Sequence, residues 1–348
     1  MTRAIRFNRR RAPVVAAVGV VLSALIGCSG GGAATSGPTG AASTPQASTA
    51  GKQWTMGFSQ IGLTGPFLVG DSYGVVDEAK KLGINMVFLE AGGFGGLQKQ
   101  ISNTENLIQQ KVDALLLDPI SDEALKPLVQ KAVDAKIPVV GVGDPITHPG
   151  VAAAVTSSHT DIGNAMGDAA IADAKGAQMK VVILAGPPGA QWTTLREKAF
   201  EDKIKAAGNF EIKTVQWFDE VTRSKGLALT EDFLRTFPDA NLFYAADNAI
   251  GLGVADAVKT AGKAGQVKIV TSVVDNDTVQ MIKDGVITMD VAQQVVLIGR
   301  EGVRVALRVL NGETINPKDV IIPVVTITKD NIGQVNLETM IAPEGWKP

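Results

Sequence analysis

Eight side chains in this sequence have the chemistry to hold a small polar molecule: Phe67, Asp144, Trp192, Thr222, Asp247, Asn248, Asp275 and Gln293. Each falls at or just beyond an apolar stretch that reads as a strand, or opens the segment that follows it. Carboxylates accept hydroxyl protons, and amides both donate and accept. An aromatic ring gives a flat face to the C–H side of a sugar, or a π surface to an alkylammonium group. Most of these positions also have a structural use. Asp247 and Asn248 are natural helix caps, Asp144 before Pro145 suits a turn, and Phe67 and Trp192 are of a kind that cores absorb. Gln293 has the fewest such uses, because the paired amide Gln293-Gln294 closes an apolar run.

The machinery of catalysis is missing from the pattern. There is no H-E-x-x-H, C-x-x-C, G-x-S-x-G or P-loop. Gly186-Pro187-Pro188-Gly189-Ala190 lacks the Lys-Ser/Thr of a Walker loop, and Asp256 stands where a dinucleotide fingerprint after Gly251-Leu252-Gly253 wants a small residue. No enzyme, no cofactor and no metal site is expected. The chain has 33 basic and 35 acidic residues. The first 27 residues hold five arginines and no acid, so the remainder has 28 basic against 35 acidic groups, a net charge of −7. Such a body lacks the clustered basic surface that nucleic acid requires.

The positioning elements alternate. Strand-like runs at 55–59, 85–89, 114–117 and 137–141 are separated by helical periodicity over 66–82, 97–110 and 121–135, the first helix closed by Gly83. Pro145, Pro149 and Gly150 break the rhythm over 144–158, a segment that contains His148 and is followed by His159, the only histidines. It resumes with helices at 161–174, 193–207, 223–236, 248–261, 278–283 and 297–310, and strands at 180–185, 211–217, 241–245, 267–272, 286–291 and 320–327. Short loops between alternating elements predict two α/β lobes, each a doubly wound, Rossmann-like parallel sheet. Ligands in such sheets bind outside the carboxyl ends of the strands.

The beginning of the chain carries a different signal. Five arginines within Thr2–Pro13, an uncharged apolar run from Val14 to Ile26 and small residues at Gly27-Cys28 form the three parts of a secretory leader, the last closing the stretch Leu25-Ile26-Gly27-Cys28. The apolar run is too short to span a bilayer. The pattern resembles a bacterial lipobox, which makes Cys28, the sole cysteine, the lipidated first residue of the mature chain. Residues 29–50 carry no charge and no large apolar group, as expected of a flexible tether.

Several stretches together resemble the type I periplasmic solute-binding proteins of the ribose-binding family. They are Gly65-Pro66-Phe67, Gly74 to Gly83, Val112 to Pro119, Lys136 to Val140, Ala245 to Gly253 and Asp284-Gly285. The resemblance implies two lobes joined by three crossovers, near Ser157, Gln293 and Lys318, with ligand clamped between them. The expected organisation is a leader over 1–27 and a tether over 28–52. A first lobe then takes 53–157 with 294–318, and a second takes 158–293 with 319–345. The family also implies that Phe67 stacks on ligand, that Gln293 and Asp247 hydrogen-bond it, and that Asp144 is the hinge-side carboxylate.

The chain departs from the sugar-binding pattern in three places. Asp144-Pro145 replaces Asp-Arg, Gly65 replaces Asn, and Thr194 stands where arginine is usual, with Arg196 following. Ala91 to Ile101 and Gly186 to Trp192 are instead similar to the periplasmic partners of trimethylamine-N-oxide sensor kinases. The expected function is a lipid-anchored, extracytoplasmic, monomeric binding component of an ABC importer, taking a sugar or polyol to permease subunits. The alternative is a sensor partner of a membrane histidine kinase that binds a methylamine-like or other polar solute.

Overall fold

The structure, a computed structural model, describes residues 52–348. The leader over 1–27, Cys28 and the tether to residue 51 lie outside the described residues. Short uninterrupted apolar runs suit strands covered on both faces, and they supply the first sheet: β1 (Thr55–Gln60), β2 (Asn85–Glu90), β3 (Ala114–Leu117), β4 (Val139–Val142) and β5 (Ala153–Thr156). Helices α1 (Gly65–Lys81), α2 (Leu97–Gln109) and α3 (Asp122–Asp134) connect them. Pro66 starts α1 where its missing N–H costs nothing. Gly83, at φ 68°, follows its end in the left-handed conformation that glycine tolerates.

The chain then enters a second lobe of the same design. Its elements are α4 (His159–Ala174), β6 (Met179–Gly186), α5 (Gln191–Ala207), β7 (Phe210–Trp217), α6 (Arg223–Thr236), β8 (Leu242–Ala245), α7 (Asn248–Thr260), β9 (Lys268–Ser272), α8 (Asn276–Lys283) and β10 (Met289–Ala292). Helix α9 (Val295–Leu310) returns to the first lobe, packing on α1, β4 and β5. Strand β11 (Asp319–Ile321) pairs with β5, and β12 (Val325–Thr328) pairs with β10. The sheet orders are β2-β1-β3-β4-β5-β11 and β7-β6-β8-β9-β10-β12, parallel throughout except for β12.

Alternate residues of each strand feed opposite faces. Leu116 joins Phe58 and Val140 under α1 and α9, whereas Leu115 and Leu117 join Leu107, Leu125 and Val129 from α2 and α3. The second sheet repeats this, with Val181, Ile183 and Tyr244 towards α4 and α5, and Val182, Leu184 and Phe243 towards α6, α7 and α8. Glycines bring the covering helices close. A Cβ on Gly74 would fall 2.1 Å from the Val296 carbonyl oxygen, and one on Gly299 would fall 2.1 Å from that of Asp71.

The chain crosses between lobes after β5 at Ser157, after β10 at Gln293, and between β11 and β12 at Ile322–Val324. The third crossing corrects the sequence expectation. Val320–Ile327 reads as one strand, but Pro323 has no N–H for a ladder, and the run divides between the two sheets. The first lobe therefore extends through β11 rather than ending at Lys318. Strand β5 is a second departure, lying inside the proline-rich break. The C-terminal segment also belongs to both lobes. Met340 is buried in the second lobe's core, while Trp346 meets Tyr73 of α1 edge-on at 5.5 Å. Among the described residues, no helix is long and apolar enough to cross a membrane.

Candidate ligand-binding site

Arg196 organises the second lobe's polar groups. It sits in the second turn of α5, 3% exposed, at the carboxyl ends of three neighbouring strands. Its Nη1 donates to the Ala246 carbonyl (3.1 Å) and to Ser272 Oγ (2.9 Å), and its Nη2 donates to Gln293 Oε1 (2.8 Å). Close packing sets its depth, because Gly163 of α4 lies so near that a Cβ there would sit 2.2 Å from the Arg196 carbonyl oxygen. Burial lowers the arginine's pKa while surrounding acidic groups oppose the shift. Nε has no partner.

His159, the first residue of α4, connects this cluster to the other lobe. Its Nδ1 lies 3.4 Å from Arg196 Nη2 and its Nε2 lies 3.8 Å from Asp144 Oδ1. A lone pair on Nδ1 facing the guanidinium puts the ring proton on Nε2, toward Asp144. Burial holds the imidazole below its ordinary pKa, so it is neutral near pH 7.

The first lobe presents acids at its own strand ends. Asp118 follows β3, and Asp144 follows β4 after Gly143. Asp71 projects from the second turn of α1 to Gln60, the last residue of β1. Gln60 Nε2 donates to both Asp71 carboxyl oxygens at 3.0 and 2.9 Å. Asp118 Oδ1 accepts from the Asp144 amide at 3.0 Å, and its Oδ2 meets no donor. Gly143, at φ 87°, allows this approach, since a Cβ would fall 3.0 Å from each Asp118 carboxyl oxygen. Burial pushes Asp71 up to about 8. Burial, with Asp144 and Asp71 beside it, holds Asp118 well above the usual carboxylate range.

The other sequence candidates are distributed around this centre. Asp247, Thr222 and Asp275 cap α7, α6 and α8, accepting from the amides of Ala249, Lys225 and Thr278. Asp275 also accepts from Asn248 Nδ2 at 2.7 Å, while Asn248 Oδ1 is buried without a partner. Burial raises the Asp247 carboxyl. Phe67 is half-buried in the first turn of α1 and belongs to none of the four core clusters. Trp192 differs from expectation. It is the second residue of α5 rather than part of the glycine-proline loop, and it packs half-buried on the second lobe with Arg196 5.1 Å from its ring.

Several groups here are absent from the sequence candidates: Arg196 and His159, noted without a site role, and Asp71, Asp118 and Asp290. Asp118 follows the strand 114–117, so the strand-end rule applied evenly would have included it. Asp290, inside β10, is buried with both carboxyl oxygens unpartnered, and burial with Asp275 and Asp247 nearby raises it strongly. A polar position in a four-residue apolar strand is its only trace in the sequence. Among the described residues, no group of three or more potential metal ligands is arranged to hold an ion.

Two cavities flank the cluster. A groove of about 550 Å³ is lined by Pro145, His148, His159, Leu195 and Lys318, within the range of small-molecule pockets. A smaller one of about 280 Å³ lies between Pro66, Asp275 and the C-terminal Ile341–Gly345.

Two similar open sheets, three crossings and polar strand ends meeting at the crossings are the architecture of a two-lobed solute-binding protein. A family model described as a periplasmic binding protein domain matches residues 56–314, and the chain belongs to that family. It is 33% identical over 264 residues to the ribose import binding protein RbsB of Bacillus subtilis, which covers 76% of this chain and 84% of the relative. Against the galactofuranose-binding protein YtfQ of Escherichia coli the identity is 29%, over 66% of this chain and 74% of the relative. Among solved structures, an ABC transporter solute binding protein from Bradyrhizobium sp. BTAi1 with bound bis-tris has a TM-score of 0.80 at 26% identity. That match covers 88% of this chain and 91% of the other.

Proposed function

We propose that this chain is the solute-binding component of an ABC importer, held outside the cytoplasm by a lipid on Cys28, and that it closes on a small polyhydroxylated solute, a sugar or polyol. The observation that carries the reading is the polar chain from Asp144 through His159 and Arg196 to Gln293, which spans the junction of the lobes. The names of the relatives, which import ribose or bind galactofuranose, support a sugar as the ligand class.

In this mechanism each lobe holds half a site. Asp144 acts from the first lobe, with Phe67 giving a flat face to the solute. Arg196, Gln293 and Asp247 act from the second. Neither half encloses a solute, so ligand shifts an open–closed equilibrium by binding both halves at once. Permease subunits then recognise the closed monomer. A thermal-shift screen against aldoses, alditols and inositols tests this. A rise of several degrees with at least one member is expected, and no response across the set would refute a sugar or polyol ligand.

A further inference from the structure

We infer that the groove beside the lobe junction is a second binding site, taking the oxyanion of a small organic acid or phosphate ester at the starts of α4 and α5 with His159, His148 and Lys318. It goes beyond the sugar or polyol reading and stands or falls separately from it. The groove exists because one connection lacks a helix. Neighbouring parallel strands are usually joined by a crossover helix, yet residues 143–152 carry the chain from β4 to β5 through Pro145 and Pro149 without one. Ala153 and Val155 face the core under α9, so Ala154 and Thr156 face the other way, alongside Asp319 and Ile321 of β11. The second lobe reaches that open face with the first turns of α4 and α5, enclosing about 550 Å³.

The lining is rich in donors. Ser158, His159 and Thr160, the cap and first two residues of α4, border the groove with Gln191, the first residue of α5. The first amides of a helix have no partner within it and carry the positive end of its dipole. The Ser158 hydroxyl takes only the Asp161 amide, and α5 has no side-chain cap. His159 adds an independent sign of a ligand. Its side chain is 8% exposed, and its Nε2–H has no acceptor within hydrogen-bond reach, since Asp144 Oδ1 is 3.8 Å away. A buried donor of this kind costs stability until something accepts from it.

The first lobe supplies the opposite wall. His148 Nδ1 accepts from the Gly150 amide at 3.1 Å, which leaves Nε2 as its donor. Lys318 Nζ donates to the carbonyls of Pro149 and Val151 at 3.2 and 3.0 Å, and an ammonium has a third proton to give. Among the described residues that line the groove, Asp319 on the exposed edge strand is the only acid. Converging donors with one cation suit an oxyanion, and Ile146, Val151, Leu195 and Ile321 leave an apolar surface for the rest of the molecule. Burial, with Arg196 adding to it and Asp144 opposing it, disfavours a charged His159. His148, Lys318 and Asp319 border the same groove, and Asp161 lies in His159's own helical turn. An anion in the groove favours the charged imidazole, so binding should draw a proton onto His159 and tighten as pH falls.

The chain has two histidines and both line the groove, so imidazole NMR of the full-length chain, made without a histidine tag, reads the site directly. The probes are sulfate, standing for a tetrahedral phosphate, and acetate, standing for a carboxylate, each titrated with chloride holding ionic strength constant. At least one is expected to shift both ring signals along a saturating curve, with affinity several-fold higher at about pH 6 than at about pH 8. The stronger probe tells a phosphate ester from a carboxylic acid. His159→Gln and Lys318→Gln should each weaken binding about 5-fold or more, and Lys318→Gln, on an exposed side chain, gives the result if the buried variant does not fold. Shifts that stay linear with both anions overturn the site. Binding that is independent of pH, or that a folded variant retains at full strength, overturns it as well.

Discussion

Gln293 is where one side chain would join folding to the proposed binding. Its Oε1 accepts from Arg196, its neighbour Gln294 reaches the Pro323 carbonyl, and the pair sits at the second crossing between lobes. Gln293→Ala should weaken solute binding by roughly 1–3 kcal/mol, the cost of one buried hydrogen bond, while the melting temperature without solute changes by only a few degrees. Unchanged affinity with a large melting drop would return the residue to a purely structural role. Asp118 makes a prediction in pH. Its carboxyl and that of Asp71 are raised, so between pH 4 and about 8 the folded chain keeps protons that the unfolded chain has lost, and stability falls as pH rises through that window. Asp118→Asn keeps the acceptor for the Asp144 amide and removes a charge. It should flatten the decline and stabilise the protein at pH 8 by on the order of 1–3 kcal/mol. Melting curves that stay parallel to those of the unsubstituted protein from pH 5 to 8 would show that the pair does not titrate this way. Asp144 and Gln293 were legible in the sequence because they end apolar runs. Asp71 was not, since an acid in an amphipathic helix gives no sign of whether it meets water or the inside of a sheet.

At the scale of elements, the sequence was readable where strands are buried on both faces and helices carry a clear period. Leu115–Leu117 and Val139–Val142 are such runs, and both are strands. It was least readable where an element is short or where tertiary contacts decide. β5 has four residues and β11 three, and each depends on a neighbouring strand for its hydrogen bonds. Trp192 depends on a helix start rather than on loop chemistry. Ala190 gives α5 no side-chain cap, and the hydroxyls of Thr193 and Thr194 bond back to the Ala190 carbonyl. The indole's position beside Arg196 keeps it sensitive to the cleft. Solute binding should change tryptophan emission, and Trp192→Phe should abolish most of that change. If Trp217→Phe, at the end of β7, removes the signal while Trp192→Phe leaves it, the reporter belongs to the sheet edge instead.

For the whole molecule, repetition of one sheet order twice was visible in the sequence as two sets of alternating elements with one interruption. The third crossing was misplaced by several residues because it cuts through a single apolar run. The anchor belongs to this scale too. A lipidated Cys28 would hold the body at a membrane surface, each buried methylene contributing about 0.8 kcal/mol. Cys28→Ala should leave the chain unacylated and recovered in the soluble fraction, and continued acylation of that variant would eliminate the lipobox.

The C-terminal segment has a practical consequence. Met340 is rooted among the apolar residues of one lobe, and six positions later Trp346 rests on Tyr73 of the other, which Arg300 flanks at 5.8 Å. So short a strand of chain has little slack, and the lobe closure proposed above would have to stretch it, slide it or lift the indole away. If the lobes close as proposed, an affinity handle joined at Pro348 would load the segment that links them and distort measured affinities. A pair of fluorophores across the Tyr73–Trp346 contact would instead turn the same mechanical linkage into a strain gauge for solute capture.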